Sequence, residues 1–183
     1  MAKRICFIQT DTNGLHKSEE VSKKYLYNFS RMVRLNYDIG TIKKGVYKSE
    51  IKKSKIIKPH CFIITKETSD IHNITQNIAE EKGEDCYAVL QELKADLKKV
   101  DIIVTFYAKF HLNTILAEGC RYNVMIDMTK FCIIDLKTFN HNYDSIKLKT
   151  LYKHIVNDDN DDNISMMIGI FLNRYNAHIS LDK

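Results

Sequence analysis

Residues 7–15 read Phe-Ile-Gln-Thr-Asp-Thr-Asn-Gly-Leu. The apolar run before Gln9 is short, Ile5 to Ile8, and it stops at a polar cluster, Thr10-Asp11-Thr12-Asn13-Gly14. A brief apolar segment closed by turn residues is the signal of a buried strand, here over 3–8. Such a strand delivers its last polar side chains to the carboxyl edge of a sheet, where α/β proteins gather their ligands.

Outward from that strand, residues 31–42 alternate Met32, Arg34 and Asn36 against Val33, Leu35 and Tyr37, which predicts a second strand with one wet face. Residues 43–55 are charged and carry a hairpin turn near Gly45, and 55–58 read as a third strand ended by Pro59. Helices are expected over 74–82 and 85–99. In the second, Val89, Leu90, Leu93 and Leu97 form an apolar stripe, with Lys94, Lys98 and Lys99 outside it. Residues 101–106 predict a buried strand, 108–118 a helix, 123–127 a short strand, and 145–156 and 162–175 two closing helices. Three antiparallel strands followed by alternating helices and strands define an α/β domain with a mixed central sheet flanked by helices. The first strand is its expected centre, with Gln9-Thr10-Asp11 near Phe106-Tyr107.

The chain of 183 residues fits one domain, 1–183. Hydrophobic residues make up 44% and charged residues 28%, which excludes a collagen, a disordered chain and a disulfide mini-protein. No apolar run approaches the ~20 residues of a membrane helix, and the apolar stretch after Met1-Ala2-Lys3-Arg4 is too short for a signal peptide. Five cysteines without CxxC spacing read as reduced, mostly core thiols, so an intracellular setting, cytoplasm or nucleus, is expected. Net charge is +5. Residues 1–66 hold 15 Lys and Arg against 5 Asp and Glu; residues 67–183 hold 13 against 18. A basic first third suits a polyanion such as nucleic acid; a merely solvated, Lys-rich surface is the plainer reading. No P-loop, zinc-finger spacing or nucleophile elbow is present, so nothing supports a serine or cysteine hydrolase.

Four segments, in order, resemble the DnaQ-like (DEDD) 3′–5′ exonucleases. Phe7 to Leu15 resembles the first motif, an apolar strand followed by Asp-Thr-Glu-Thr-Thr-Gly-Leu. Lys58-Pro59, Phe62 and Ile71-His72-Asn73-Ile74-Thr75 resemble the family's Lys-Pro and Ile-His-Gly-Ile-Thr segments. Val104 to His111 resembles Val-Ala-His-Asn-Ala-x-Phe-Asp. Asp158 to Leu172 resembles the third motif, His-x-Ala-x-x-Asp-Ala-x-x-Thr-x-x-x-Phe-Leu. The resemblance implies an RNase H-like fold. It also implies chemistry that depends on four carboxylates holding two divalent metals about 4 Å apart, with a histidine that helps activate water.

Laid on this chain, the first aspartate of that set falls on Gln9, the glutamate on Asp11, the second-motif aspartate on His111, the third-motif aspartate on Asn163 and the histidine on Asp158. One carboxylate of four survives. Two divalent ions without anionic oxygen ligands repel each other, so the resemblance implies a site that has lost its metals. Mg or Mn is expected only if activity remains. A rebuilt site would use Asp11, His111 and Asp162 for a single Mn²⁺ or Zn²⁺; the alternative is an acidic loop, 158–162, that caps the last helix.

Thr12, His72 and Thr75 are candidate nucleic-acid contacts, with a cap and turn before the helix at 74 as the other reading. Phe106 and Tyr107 stand where the family has His-Asn, either to stack a base or to fill the emptied cleft. Lys43, Lys44, Lys48, Lys52, Lys53, Lys55 and Lys58 line a phosphate track or guard a sheet edge. His16, His141, His154 and His178 read as ordinary residues. The expectation is a catalytically silent, exonuclease-like protein that binds single-stranded DNA or RNA. A structural or protein-interaction subunit of a replication, transcription or virion assembly is the first alternative, and an active, divergent metal-dependent exonuclease the second. A homodimer is compatible with the resemblance, since several members of that family dimerise.

Overall fold

The computed structural model describes residues 3–139 and 146–181. Its sheet has five strands: β1 (Arg4–Thr12), β2 (Met32–Lys43), β3 (Val46–Ile56), β4 (Ile102–Thr105) and β5 (Cys132–Asp135). Their order is β3-β2-β1-β4-β5, so the first strand is the centre, as its sequence predicts. β1, β2 and β3 are antiparallel neighbours, while β4 and β5 run parallel to β1. The hairpin between β2 and β3 turns on Lys44 and Gly45, both at positive φ (50° and 75°). That is the left-handed pair a two-residue hairpin requires, and glycine adopts it without cost.

Among the described residues six α-helices flank the sheet: α1 (Lys66–His72), α2 (Gln76–Lys82), α3 (Cys86–Asp96), α4 (Ala108–Tyr122), α5 (Leu148–Val156) and α6 (Asn163–Leu181). The two-residue period of β1 decides which face each packs on. Cys6 and Ile8 point into a core with Leu35, Tyr37 and the Val89, Leu90, Leu93 stripe of α3. Ile5 and Phe7 point into the other, with Leu151 of α5 and Met167 and Ile170 of α6. The Phe7 ring meets Tyr47 and Phe171 edge-on at 5.2 and 5.7 Å. By the same alternation Gln9 and Asp11 continue the Phe7 face, and Thr10 continues the Ile8 face.

Several expectations are corrected. Residues 123–127 are not a strand. Asn123 ends α4 at φ 56°, and Val124 and Ile126 enter the core from a loop. The fifth strand lies at Cys132–Asp135, a partly exposed edge. The charged 46–56 segment is itself the third strand, because its alternate lysines pair with helices on both faces. Helix α1 and a 3-10 segment over Lys23–Asn28 were not expected. Of the cysteines only Cys6 and Cys86 are buried; Cys61 and Cys132 are exposed. Residues His141 and Ser145 and the side chain of His178 lie outside the described residues. Among those described, no helix is long and apolar enough to cross a membrane.

Candidate functional site at the carboxyl end of the central strand

The end of β1, the helix α1 and the start of α4 enclose a cleft of about 300 Å³. Gln9, Thr10, Asp11, Thr12, His72 and His111 line it, with Leu15, Ile71 and Phe110 as apolar walls. Five of the expected site residues therefore come together here: Gln9, Asp11, Thr12, His72 and His111.

The surviving acid is not free. Asp11 pairs across the sheet with Arg34 of β2, and the Arg34 Nε donates to Asp11 Oδ2 at 2.6 Å. Gln9 Nε2 reaches the other carboxylate oxygen at 3.4 Å, while Gln9 Oε1 is buried without a partner. His111 projects from the first turn of α4. The Thr10 N–H donates to its Nδ1 at 3.1 Å, and the Thr10 hydroxyl lies 3.0 Å from the same atom. Burial pushes its pKa from 6.5 down to about 4, against the Phe106 backbone and Asp135, which favour the charged form. The neutral ring then carries its proton on Nε2. Burial likewise lowers the His72 pKa, with Asp11 opposing and Arg34 reinforcing. His72 Nδ1 accepts the Ile74 N–H at 3.2 Å, and its buried Nε2 has no partner of good geometry.

Tyr107 stands at the entrance of α4 at φ 75°, half exposed. Its N–H and that of Ala108 both donate to the Asp135 carboxylate at 2.8 Å, so the end of β5 caps α4. The Tyr107 ring lies parallel to Phe110 (6.2 Å, 16°), which stacks on His16 (4.6 Å, 20°), and Lys137 Nζ sits 4.4 Å over Tyr107. Phe106 packs into the α5–α6 core instead of the cleft. His16 is a satisfied, half-buried residue that ties the chain after β1 to α4. Its Nδ1 accepts from Ser30 N–H (3.2 Å), and its Nε2 lies 3.1 Å from both the Phe110 carbonyl and the Thr114 hydroxyl.

The other expected residues lie elsewhere. Thr75 caps α2 through the Ile78 N–H. Asp158 accepts the Asp159 N–H, and Asp159 and Asp161 pair with Lys153 and Lys149 of α5. Asp162 caps α6 and pairs with Lys52 of β3, and Asn163 opens that helix. Lys53 binds Glu92 and Asp96, and Lys55 binds Glu84 and Glu92. These lysines clamp helices to the sheet and do not form a phosphate track. Lys43 and Lys44 lie at the far hairpin, roughly 30 Å along β2 from Arg34 at the strand rise. Lys58 follows β3 at the cleft end of the sheet and is exposed.

Two divalent metals do not fit this residue set. The single cleft carboxylate is bound to a guanidinium, Gln9 is neutral, and His111 has one nitrogen accepting a backbone N–H and the other protonated. The alternative trio does not converge: Asp162 is held by Lys52, two strands from Asp11. Among the described residues no three His, Cys, Asp or Glu side chains form a metal-ligating group. Sequence reasoning missed Arg34 and Asp135. The wet-face position of Arg34 was the available signal, but its partner depends on a strand register that a long intervening loop conceals.

Fold and cleft together define an α/β domain with a five-stranded mixed sheet and a polar cleft at the end of the central strand. Solved structures of exonuclease I share this RNase H-like architecture. The E. coli enzyme in complex with a 5cy-dA13 oligonucleotide superposes with a TM-score of 0.71 and 14% identity, over 95% of this chain and 40% of that one. A zinc-bound form of the E. coli exonuclease I–ssDNA complex gives 0.64 and 13%, over 97% and 40%. An exonuclease I complex with SSB-Ct gives 0.66 and 15%, over 96% and 43%. The chain thus spans under half the length of these structures. No family model and no curated protein matches the sequence.

Proposed function

We propose that this chain is a nucleic-acid-binding protein that keeps the end-binding cleft of an exonuclease fold and has given up metal-dependent hydrolysis. The observation that carries the reading is the 2.6 Å contact of Arg34 with Asp11 beside a neutral Gln9. Where hydrolysis of a phosphodiester calls for anionic ligands around two metals, this site offers one carboxylate already neutralised. The cleft retains what a strand end needs for recognition: apolar walls from Leu15, Ile71 and Phe110, and an unpaired acceptor on Gln9. The half-exposed Tyr107 ring, backed by Phe110, offers a stacking surface at the rim. The ligand class is single-stranded DNA or RNA, in an intracellular setting.

A second reading, a protein-interaction subunit, rests on the apolar rim. Leu15 is 82% exposed, Ile71 81% and Ile63 72%. Fluorescence anisotropy with a labelled single-stranded oligonucleotide separates the two. A rise at low salt that collapses as salt is added supports nucleic-acid binding, because counterion release makes such binding salt-dependent. A flat trace at all salt concentrations moves the assignment to the protein-interaction reading.

A further inference from the structure

We infer that Arg34, which stands behind the cleft-lining Asp11 and is not itself one of the lining residues, is the cation nearest the cleft, and that the site takes the phosphodiester of a strand end on this guanidinium with no divalent metal. The inference rests on the nucleic-acid reading above and specifies its chemistry.

The charges decide it. Asp11 and Arg34 cancel, Gln9 is neutral, and burial keeps His72 and His111 uncharged near neutral pH. A site with no net charge holds a hard divalent cation only weakly and does not repel a phosphate. A carboxylate-rich site has the opposite property and needs its metals before an anionic strand can approach. Arg34 spends only Nε on Asp11. Among the described residues its two terminal Nη groups meet no protein partner, and its side chain is 28% exposed. Those donors form the fork that recognises phosphate oxygens in pairs.

The adjoining atoms suit a nucleotide. Gln9 Oε1 is a buried acceptor without a donor. His72 accepts the Ile74 N–H on Nδ1 and turns Nε2 toward the Thr12 backbone, so its ring is a fixed wall of the site. A ligand that brings a hydroxyl or amino donor relieves the Gln9 oxygen, and an unmet buried polar atom is costly enough to matter.

The test uses the full chain and a short single-stranded DNA carrying a 5′ fluorescein, read by anisotropy in EDTA and in MgCl₂. Equal affinity in the two buffers is expected. Arg34→Gln should weaken binding about ten- to a hundredfold, the loss of hydrogen bonds to a charged group, and Arg34→Lys should recover part of it. Asp11→Asn should tighten binding, because it frees the guanidinium; in a metal site the same change would abolish binding. The double variant Asp11→Asn, Arg34→Gln leaves no unpaired charge and guards against a folding artefact.

Binding that requires magnesium and vanishes in Asp11→Asn overturns the inference and leaves the nucleic-acid reading standing. No binding in either buffer overturns both. In parallel, the spectrum of free Mn²⁺ should be unchanged by the wild-type protein in electron paramagnetic resonance. Capture of Mn²⁺ that Asp11→Asn abolishes overturns the inference whatever the oligonucleotide does.

Discussion

His111 packs against Thr10, and burial holds its pKa near 4 in the folded chain. The unfolded chain takes up a proton near the ordinary value of about 6.5. Between these values the unfolded state binds more protons, so stability falls as pH falls from about 6.5 to about 4 and is fully present above that window. His16 and His72 shift in the same direction. The His111 share is on the order of 2–3 kcal/mol. Melting temperatures followed from pH 7 to pH 4 should drop steeply for the wild type and less steeply for His111→Asn, which keeps an acceptor for the Thr10 N–H. Identical slopes for the two proteins would contradict a neutral, buried imidazole. At this scale the sequence was partly legible. The motifs single out Gln9, Asp11, His72 and His111 because each sits at a fixed offset from one, and the structure brings the four to one cleft. Arg34 is not singled out, because its meaning comes from the register Asp11↔Arg34, set across an irregular segment of 19 residues. His16, read as an ordinary residue, is a satisfied one whose partners Ser30, Phe110 and Thr114 are distant in sequence.

At the scale of elements, α4 shows how one misplaced strand hides a contact. Tyr107 begins this helix in the left-handed region and supplies no side-chain cap. The cap comes from Asp135 at the end of β5, which accepts from Tyr107, Ala108 and Lys137. An anion at a helix N-terminus also opposes the helix dipole favourably. Asp135→Ala should cost about 1–2 kcal/mol and lower the melting temperature by roughly 3–6 °C; an unchanged melt would mean the cap carries no weight. The strand that delivers Asp135 lies at Cys132–Asp135, whereas the sequence predicts one at the apolar run 123–127. Those side chains are buried from a loop, while the true edge strand is half exposed and short, so hydrophobicity favoured the wrong segment. The central strand was legible as a short apolar run buried on both faces, and the α3 stripe by its period. The β2 alternation holds at Arg34 to Tyr37 but not at its start, where Met32 is fully buried with Leu35 and Tyr37 and Val33 packs in a separate cluster.

Across the whole molecule the charge asymmetry of the sequence becomes pairing in space. Lys52, Lys53 and Lys55 of the basic first third meet Asp162, Asp96, Glu92 and Glu84 of the acidic remainder. Composition therefore overstated the free positive surface. Among the described residues Lys43 and Lys44 carry no such partner, and they lie at the opposite end of β2 from the cleft. Replacing both by alanine should leave oligonucleotide affinity and its salt slope within about twofold of wild type, whereas Lys58→Ala, at the cleft end, should reduce the slope by about one phosphate contact. A marked loss on removing Lys43 and Lys44 would place the ligand along the sheet edge and not at the strand end.

The most direct test of the account is a time course with a 3′-labelled single-stranded oligonucleotide and Mn²⁺, resolved by gel. The account predicts that the label stays on full-length DNA while the protein remains bound to it. Release of labelled mononucleotide that Asp11→Ala abolishes would contradict it, because one carboxylate paired with Arg34 would then be supporting metal-dependent hydrolysis.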